Sequence, residues 1–324
     1  NFVVGEASVN PLSALYGAII EMRNRRFEGG ALKIRRLQGP VISIGNLSVG
    51  GSGKTPFLIA LGELLKRQGV EFDVLSRGYG RSTTGVALVD PAGSPREFGD
   101  EPLLIARKLN VPVIVGEDRY AAGQFAEQKL GARMHLLDDG FQHRRLARDF
   151  DIVMVNPQDT QDILLPVGRL REPLSSLMRA DAVVLTNDAV CDGLLLAPYL
   201  VWRVQRDIVI PAELKGPCFA FCGIARPGNF FDQLRAAGVK LAGTRSFRDH
   251  HAYTESDVRK LLGLRNRHGA GAFVTTEKDA INLQSHVAEL APLHVVPVRM
   301  QLQNAESAMS AMLARIAVRN RSIA

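Results

Sequence analysis

VISIGNLSVGGSGKTP, residues 41–56, is the stretch around which the chain is arranged. Val41, Ile42 and Ile44 form a short apolar run suited to a buried strand, Gly50, Gly51 and Gly53 make a glycine-rich turn, and Lys54-Thr55 opens an amphipathic pattern. Strand, glycine loop and helix in that order are the parts of a P-loop. Glycines let successive backbone N–H groups turn toward an anion, and the helix N-terminus adds partial positive charge. Lys54 can reach the outer phosphates and the Thr55 hydroxyl can serve Mg2+. The loop Ser48, Val49, Gly50, Gly51, Ser52, Gly53, Lys54 and Thr55 is therefore expected to hold a nucleoside triphosphate. It departs from the usual pattern once, where Ser48 stands in place of the first loop glycine. The turn must then rely on Gly50 and Gly51.

The 324 residues suffice for two domains, and 46% hydrophobic content is that of a globular chain. A formal net charge of +7 suits an acidic partner: a nucleotide, a nucleic acid or an anionic membrane surface. Three cysteines, Cys191, Cys218 and Cys222, are too few for a disulfide framework, and the apolar run around Cys218 and Cys222 marks buried thiols in a reducing compartment. No apolar run approaches the roughly 20 residues a spanning helix needs, and no secretory signal pattern opens the sequence, so a soluble or peripheral protein is expected.

Before the P-loop, Asn10-Pro11 reads as a helix start, with Leu12, Leu15, Tyr16, Ile19 and Ile20 at helical spacing ahead of Arg23, Arg25 and Arg26. Residues 1–40 carry six basic groups against Glu6, Glu21 and Glu28. Such a segment either lies on a membrane surface, apolar stripe in the acyl boundary and arginines on lipid phosphates, or packs on the core with a solvated face.

After the P-loop, strands alternate with helices, the pattern of a doubly wound parallel sheet. The loop SRGYGR, with Arg77 and Arg81, follows a strand at residues 72–75, where ligands of open α/β sheets bind; it reads either as a phosphate contact or as a plain turn. Asp100 and Glu101 precede a helix expected over 103–109; they read either as a cap or as an acid pair suited to proton abstraction or Mg2+ contact. Leu136-Leu137 ends a buried strand with Asp138-Asp139 at its tip, the place where P-loop proteins put the acid that holds Mg2+. From Val201 the texture changes, with 201–204 and 208–210 resembling paired extended segments. The expected organisation is a basic amphipathic helical segment over 1–40, a nucleotide-binding core over 41–200, a two-stranded linker over 201–214 and a smaller α/β domain over 215–324 that closes the cleft. In that domain Asp249-His250-His251 reads either as a structural cap or as the source of an imidazole that partners a carboxylate base.

VGGSGKTP, LSRGYGR, GDEP, DDGFQHRRLARD, LLPVGRLREP, FCGIARP, FRDHH and TTEKDA occur in that order and together resemble the tetraacyldisaccharide 4'-kinase family of Gram-negative bacteria. The resemblance implies ATP- and Mg2+-dependent transfer of phosphate to the 4'-hydroxyl of an acylated glucosamine disaccharide 1-phosphate, at the cytoplasmic face of the inner membrane. It implies that the P-loop and Lys54 hold ATP and that Asp138 and Asp139 belong to the Mg2+ and ATP site. Asp100 would be the catalytic aspartate paired with His250, or with His251 if the register is shifted by one. Glu101, Gln142, Arg77, Arg171 and Lys278 are supporting candidates. A GTPase would need a guanine-reading Asn-Lys-x-Asp; Thr186-Asn187-Asp188-Ala189 lacks the lysine, and lysine and aspartate are adjacent in Thr276-Glu277-Lys278-Asp279. No zinc module or aromatic-basic sheet motif supports nucleic-acid binding, and no nucleic-acid partner is expected.

Overall fold

The computed structural model describes residues 10–186 and 199–321, so Cys191 and the segment Asn187-Asp188-Ala189 lie outside the described residues. Helix α1 (Pro11–Glu28) begins where Asn10-Pro11 directs it, the Asn10 side chain accepting from Leu12 N and proline occupying the first turn. The chain continues through β1 (Val41–Asn46), α2 (Lys54–Arg67), β2 (Asp73–Ser76), β3 (Ala87–Leu88), α3 (Pro95–Phe98) and α4 (Asp100–Leu109). Next come β4 (Val113–Val115), α5 (Arg119–Leu130), β5 (His135–Asp138), β6 (Phe150–Met154), β7 (Ala182–Thr186) and β8 (Leu200–Ile208). The remainder is β9 (Cys218–Cys222), α6 (Pro227–Ala236), β10 (Leu241–Ser246), α7 (Glu255–Arg267), β11 (Ala272–Thr276), α8 (Glu277–Leu283), β12 (Leu293–Val296), β13 (Val298–Leu302) and α9 (Ala305–Arg321).

Among the described residues a nine-stranded sheet runs β13-β8-β7-β6-β1-β5-β2-β4-β3, and a four-stranded sheet runs β10-β9-β11-β12. In the large sheet every neighbouring pair from β8 to β4 is parallel; only the edge pairs, β3 on β4 and β13 on β8, are antiparallel. The small sheet is parallel throughout. This is the expected doubly wound, mostly parallel α/β architecture with a second, smaller sheet. Central strands buried on both faces explain the continuous apolar runs: β1, β5 and β6 are buried at every position. One face of the large sheet packs α2, α4 and α9 through Phe57, Leu61, Leu103 and Met309. The other carries α5 and the loops after β5 and β6.

Three features differ from the expected organisation. Residues 200–208 form one strand, not two paired segments, and its antiparallel partner is β13 from the far end of the chain. Strand β13 and helix α9, expected in the smaller domain, therefore return to the large sheet, where Met309 and Met312 are fully buried. Helix α4 starts at Asp100, three residues earlier than the apolar pattern indicated, because Asp100 and Glu101 suit the positive end of a helix and Pro102 is tolerated in its first turn. Cys218 and Cys222 are buried free thiols on β9, in the state their apolar surroundings implied.

Helix α1 docks by polar contacts. Ser13 donates to Leu164 O at 2.7 Å, Tyr16 to Arg171 O at 3.1 Å, and Asn24 to the buried Glu172 carboxylate at 3.0 Å. Ile20 and Phe27 lie on that buried face, whereas Leu12 (59%), Leu15 (61%), Ile19 (51%) and Met22 (56%) stay exposed on another. No helix among the described residues is long and apolar enough to cross a membrane.

Candidate active site

In parallel sheets ligands gather beyond the carboxyl ends of the strands, and here two such edges face one cleft of about 850 Å3. The large sheet contributes the P-loop after β1, Arg77 after β2, Arg119 after β4 and the acid pair after β5. The small sheet contributes Ala225 and Arg226 after β9, Asp249 and His250 after β10, and Glu277-Lys278 after β11.

The P-loop turns on Gly50 (φ 76°), Gly51 (φ 50°) and Gly53 (φ 84°), left-handed conformations that glycine adopts without steric cost. Ser48 needs no such freedom: it is buried and pairs with Leu170 in an isolated antiparallel bridge, while Val49 N donates to Arg169 O at 2.8 Å. The serine is thus compatible with the loop because the turn starts two residues later. Val49 is exposed, Ser52 and Thr55 are buried, and Lys54 opens α2.

Lys54 Nζ donates to Asn46 Oδ1 at 3.1 Å and lies 3.4 Å from Asp139. Arg171 grips Asp139 with two bonds of 2.9 Å and also reaches the Asn46 side chain. Asp138 accepts from Ser76 Oγ at 2.9 Å through one oxygen, while its other oxygen is buried with no hydrogen-bond partner among the described residues. Gln142 donates to Asn46 O at 3.0 Å, tying the loop after β5 to the end of β1.

On the opposite wall, Gly99 (φ 90°) delivers Asp100 to the first position of α4; a side chain at Gly99 would press on Tyr79 O at 3.0 Å. The Asp100 carboxylate is 4% exposed and meets His250 Nδ1 at 2.9 and 3.0 Å. His250 has φ 57°, a left-handed conformation costing about 1–3 kcal/mol in a non-glycine residue, and its ring also rests on Tyr79. With Nδ1–H donated to the carboxylate, Nε2 carries the lone pair and accepts from Lys278 Nζ at 3.2 Å. Lys278 also reaches Asp249 at 3.1 Å and Glu101 at 3.4 Å. His251 points elsewhere: Nε2 lies 3.1 Å from Asp257 and the ring stacks on Phe247. Of the two histidines, the one that meets Asp100 is His250.

A nucleotide-type loop facing an aspartate and histidine from two sheets can be compared with known proteins. The family of tetraacyldisaccharide-1-P 4'-kinases (LpxK) matches residues 6–317. This chain belongs to that family. It is 52% identical over 310 residues to the tetraacyldisaccharide 4'-kinase of Koribacter versatilis, covering 93% of this chain and 96% of that one. It is 39% identical over 296 residues to the Aquifex aeolicus enzyme of the same name, covering 86% and 90%. Among solved structures, the "apo" form of LpxK from Aquifex aeolicus in complex with ATP superposes with a TM-score of 0.78 at 36% identity, covering 94% of this chain and 97% of that one.

In this member of the 4'-kinase family, electrostatics separates the carboxylates. Burial alone would raise Asp100, but hydrogen bonds from His250 and Asn282 and the Lys278 charge hold it below the usual range. Burial would likewise lower His250, yet its bond to Asp100 raises it. Burial, with the Glu101 and Asp139 carboxylates nearby, pushes Asp138 up to about 7. Asp139, only partly buried, is held well down because Lys54 and Arg171 lie against it. The adjacent acids thus differ sharply.

Several cleft residues were absent from the sequence reading. Asn46 joins Lys54, Arg171 and Gln142, and sits in the quoted P-loop stretch at the end of β1. Arg119, 6% exposed, donates to Glu117 O at 3.0 Å and leaves a buried Nε without a hydrogen bond among the described residues. Beside it, burial and the Arg119 guanidinium push His143 down to about 4. Asn282 donates to Asp100 at 2.9 Å, and its place four residues after Lys278 on a helix was the available signal. Asp279 of TTEKDA is a scaffold residue: its buried carboxylate accepts from Gly223 N, Tyr253 OH and Thr276 Oγ1. It is fully engaged there.

Proposed function

We propose that this chain transfers the γ-phosphate of ATP to the 4'-hydroxyl of a tetraacylated glucosamine disaccharide 1-phosphate, giving lipid IVA in lipid A biosynthesis. The observation that carries this reading is the Asp100 and His250 contact across a cleft whose other wall is a P-loop. In the reaction the Asp100 and His250 pair takes the proton of the acceptor hydroxyl. The oxygen's electron pair forms the bond to the γ-phosphorus, the bond from that phosphorus to the β,γ-bridging oxygen breaks, and ADP leaves with the electrons of the broken bond. Lys54 and the P-loop amides stabilise the charge on the transferring group.

The residues fit Mg2+. Asp138 has a buried carboxylate oxygen without a partner among the described residues, Thr55 is a buried residue in the first turn of α2, and Asp139 lies beside Lys54. Mg2+ needs only one or two carboxylates when phosphates and water complete its shell. When bound it neutralises phosphate oxygens; Thr55, Asp138 and Asp139 would hold it. Arg77 and Arg119, which line the cleft beyond the acid pair, suit the anionic groups of ATP and of the disaccharide 1-phosphate.

The exposed stripe Leu12, Leu15, Ile19 and Met22, with Arg23, Arg25 and Arg26 on the same helix, supports peripheral contact with the cytoplasmic face of the inner membrane. The acyl chains of the substrate then remain in the bilayer while its sugars enter the cleft. Incubation of the protein with γ-labelled ATP, Mg2+ and the disaccharide 1-phosphate tests the reading. Labelled bisphosphorylated lipid is expected; ATP hydrolysis without labelled lipid contradicts it.

A further inference from the structure

We propose that Asn282 is a positioning residue for the reaction, a neutral donor from the small sheet's side of the cleft that holds the Asp100 carboxylate oriented for proton abstraction. The inference rests on the reading of Asp100 and His250 as the proton-accepting pair.

Asn282 Nδ2 donates to Asp100 Oδ2 at 2.9 Å across 182 residues of sequence, and the two residues are 6% and 4% exposed. The carboxylate has few other supports. Oδ1 accepts from Glu101 N at 2.9 Å and meets His250 Nδ1 at 3.0 Å; Oδ2 meets His250 at 2.9 Å and Asn282. Lys278, one turn before Asn282 on α8, stays 3.9 Å away and is shared with Glu101, Asp249 and His250. The charged groups facing Asp100 are therefore His250 from the loop after β10, Lys278 from α8, and, through Lys278, Glu101 of α4 and Asp249.

The amide differs from all of these in having no titration of its own. The hydrogen bond from His250 changes as the imidazole gains or yields a proton, whereas the Asn282 N–H donates equally in every state. A buried carboxylate without such a donor drifts toward its neutral form and turns about its side-chain bond. A misplacement of about 1 Å at a reacting group costs on the order of 100-fold in rate. Because Asn282 sits on α8, the donor reaches Asp100 only when the small sheet's helices are apposed to α4. A second contact spans the same helices without touching Asp100: Lys108 pairs with Glu277.

The test compares Asn282→Leu, Asn282→Asp and Lys108→Ala in kinase assays from pH 5 to 9, with melting temperatures measured on the same samples. Asn282→Leu removes the donor at similar volume and is expected to lower kcat about 10- to 100-fold with KM for ATP within about twofold. Asn282→Asp sets a second carboxylate against Asp100, so one of the two titrates far higher. Its activity is expected to show an acid limb displaced to higher pH than the parent's. Lys108→Ala is expected to lose stability without either change. If Asn282→Leu and Asn282→Asp merely melt lower, as Lys108→Ala does, with parental kcat and profile, Asn282 is a clasp and the proposal is overturned. Parental turnover by Asp100→Ala overturns the proposal together with the reading it rests on. An inactive Asp100→Ala beside unaffected Asn282 variants overturns the Asn282 role alone.

Discussion

Asp100 and His250 stand 150 residues apart in the chain and 2.9 Å apart in space, and their contact joins the carboxyl edges of the two parallel sheets. The first belongs to the sheet that carries the P-loop and the second to the smaller one, so the pair proposed as the proton acceptor is assembled from both.

Lys54 bonds Asn46 and lies beside Asp139 at the mouth of the P-loop. Lys54→Ala removes the charge proposed to meet phosphate and no part of the hydrophobic core. Its kcat/KM is expected to fall by at least about 100-fold, with a melting temperature close to that of the parent. Steady-state kinetics and a thermal scan check both halves.

The two adjacent histidines should separate cleanly. His250→Ala is expected to lower kcat about 100- to 10,000-fold, the range for a lost acid–base group. His251 stacks on Phe247 and bonds Asp257, so His251→Ala should cost about 0.5–2 kcal/mol of stability and spare most of the turnover. Parallel kinetic and denaturation measurements of the pair decide it.

Asp138 gives a pH signature in the absence of nucleotide and metal. Its folded value is raised to about 7 by burial and by Glu101 and Asp139. Between the ordinary carboxylate value and about 7, the unfolded chain releases a proton that the folded chain keeps, so stability falls as pH rises through that window. Asp138→Asn removes the penalty. The variant should melt above the parent at pH 8, by an amount equivalent to about 1–4 kcal/mol, and the gap should narrow toward pH 5. A gap independent of pH would assign the raised value to another group.

Leu12, Leu15 and Ile19 project from α1 away from the core. Leu15→Glu with Ile19→Glu should weaken sedimentation with anionic liposomes by about tenfold or more, each buried apolar side chain being worth about 1.5–3 kcal/mol. Thermal stability should hardly change, since neither side chain packs on the fold.

The P-loop and the mostly parallel sheet were legible because their signals are local: an apolar run, loop glycines and a helix start within residues 41–56. The Asp138 and Asp139 tip was legible for the same reason, since Leu136 and Leu137 mark the strand that ends there. The choice between His250 and His251 depended on which ring reaches a residue 150 positions away. Only the fold supplies that. The return of β13 to the large sheet was hidden because a short alternating strand does not name its partner, and β8 accepts it only at the sheet's edge. Periodicity likewise drew an apolar stripe on α1 but not its exposure: Ile20 turns inward while Leu12, Leu15 and Ile19 remain outside. Asn46 and Asn282 carry no charge, and their places beside the P-loop and four residues after Lys278 did not name their partners, which only the fold shows.

The most direct measurement is single-turnover phosphate transfer by Asp100→Asn to the disaccharide 1-phosphate, with ATP affinity measured on the same protein. The substitution keeps the shape and removes the proposed base. The expected result is ATP binding within a few-fold of the parent and transfer slowed about 100- to 10,000-fold. Transfer at the parental rate would contradict the central claim that Asp100 and His250 together accept the proton of the 4'-hydroxyl.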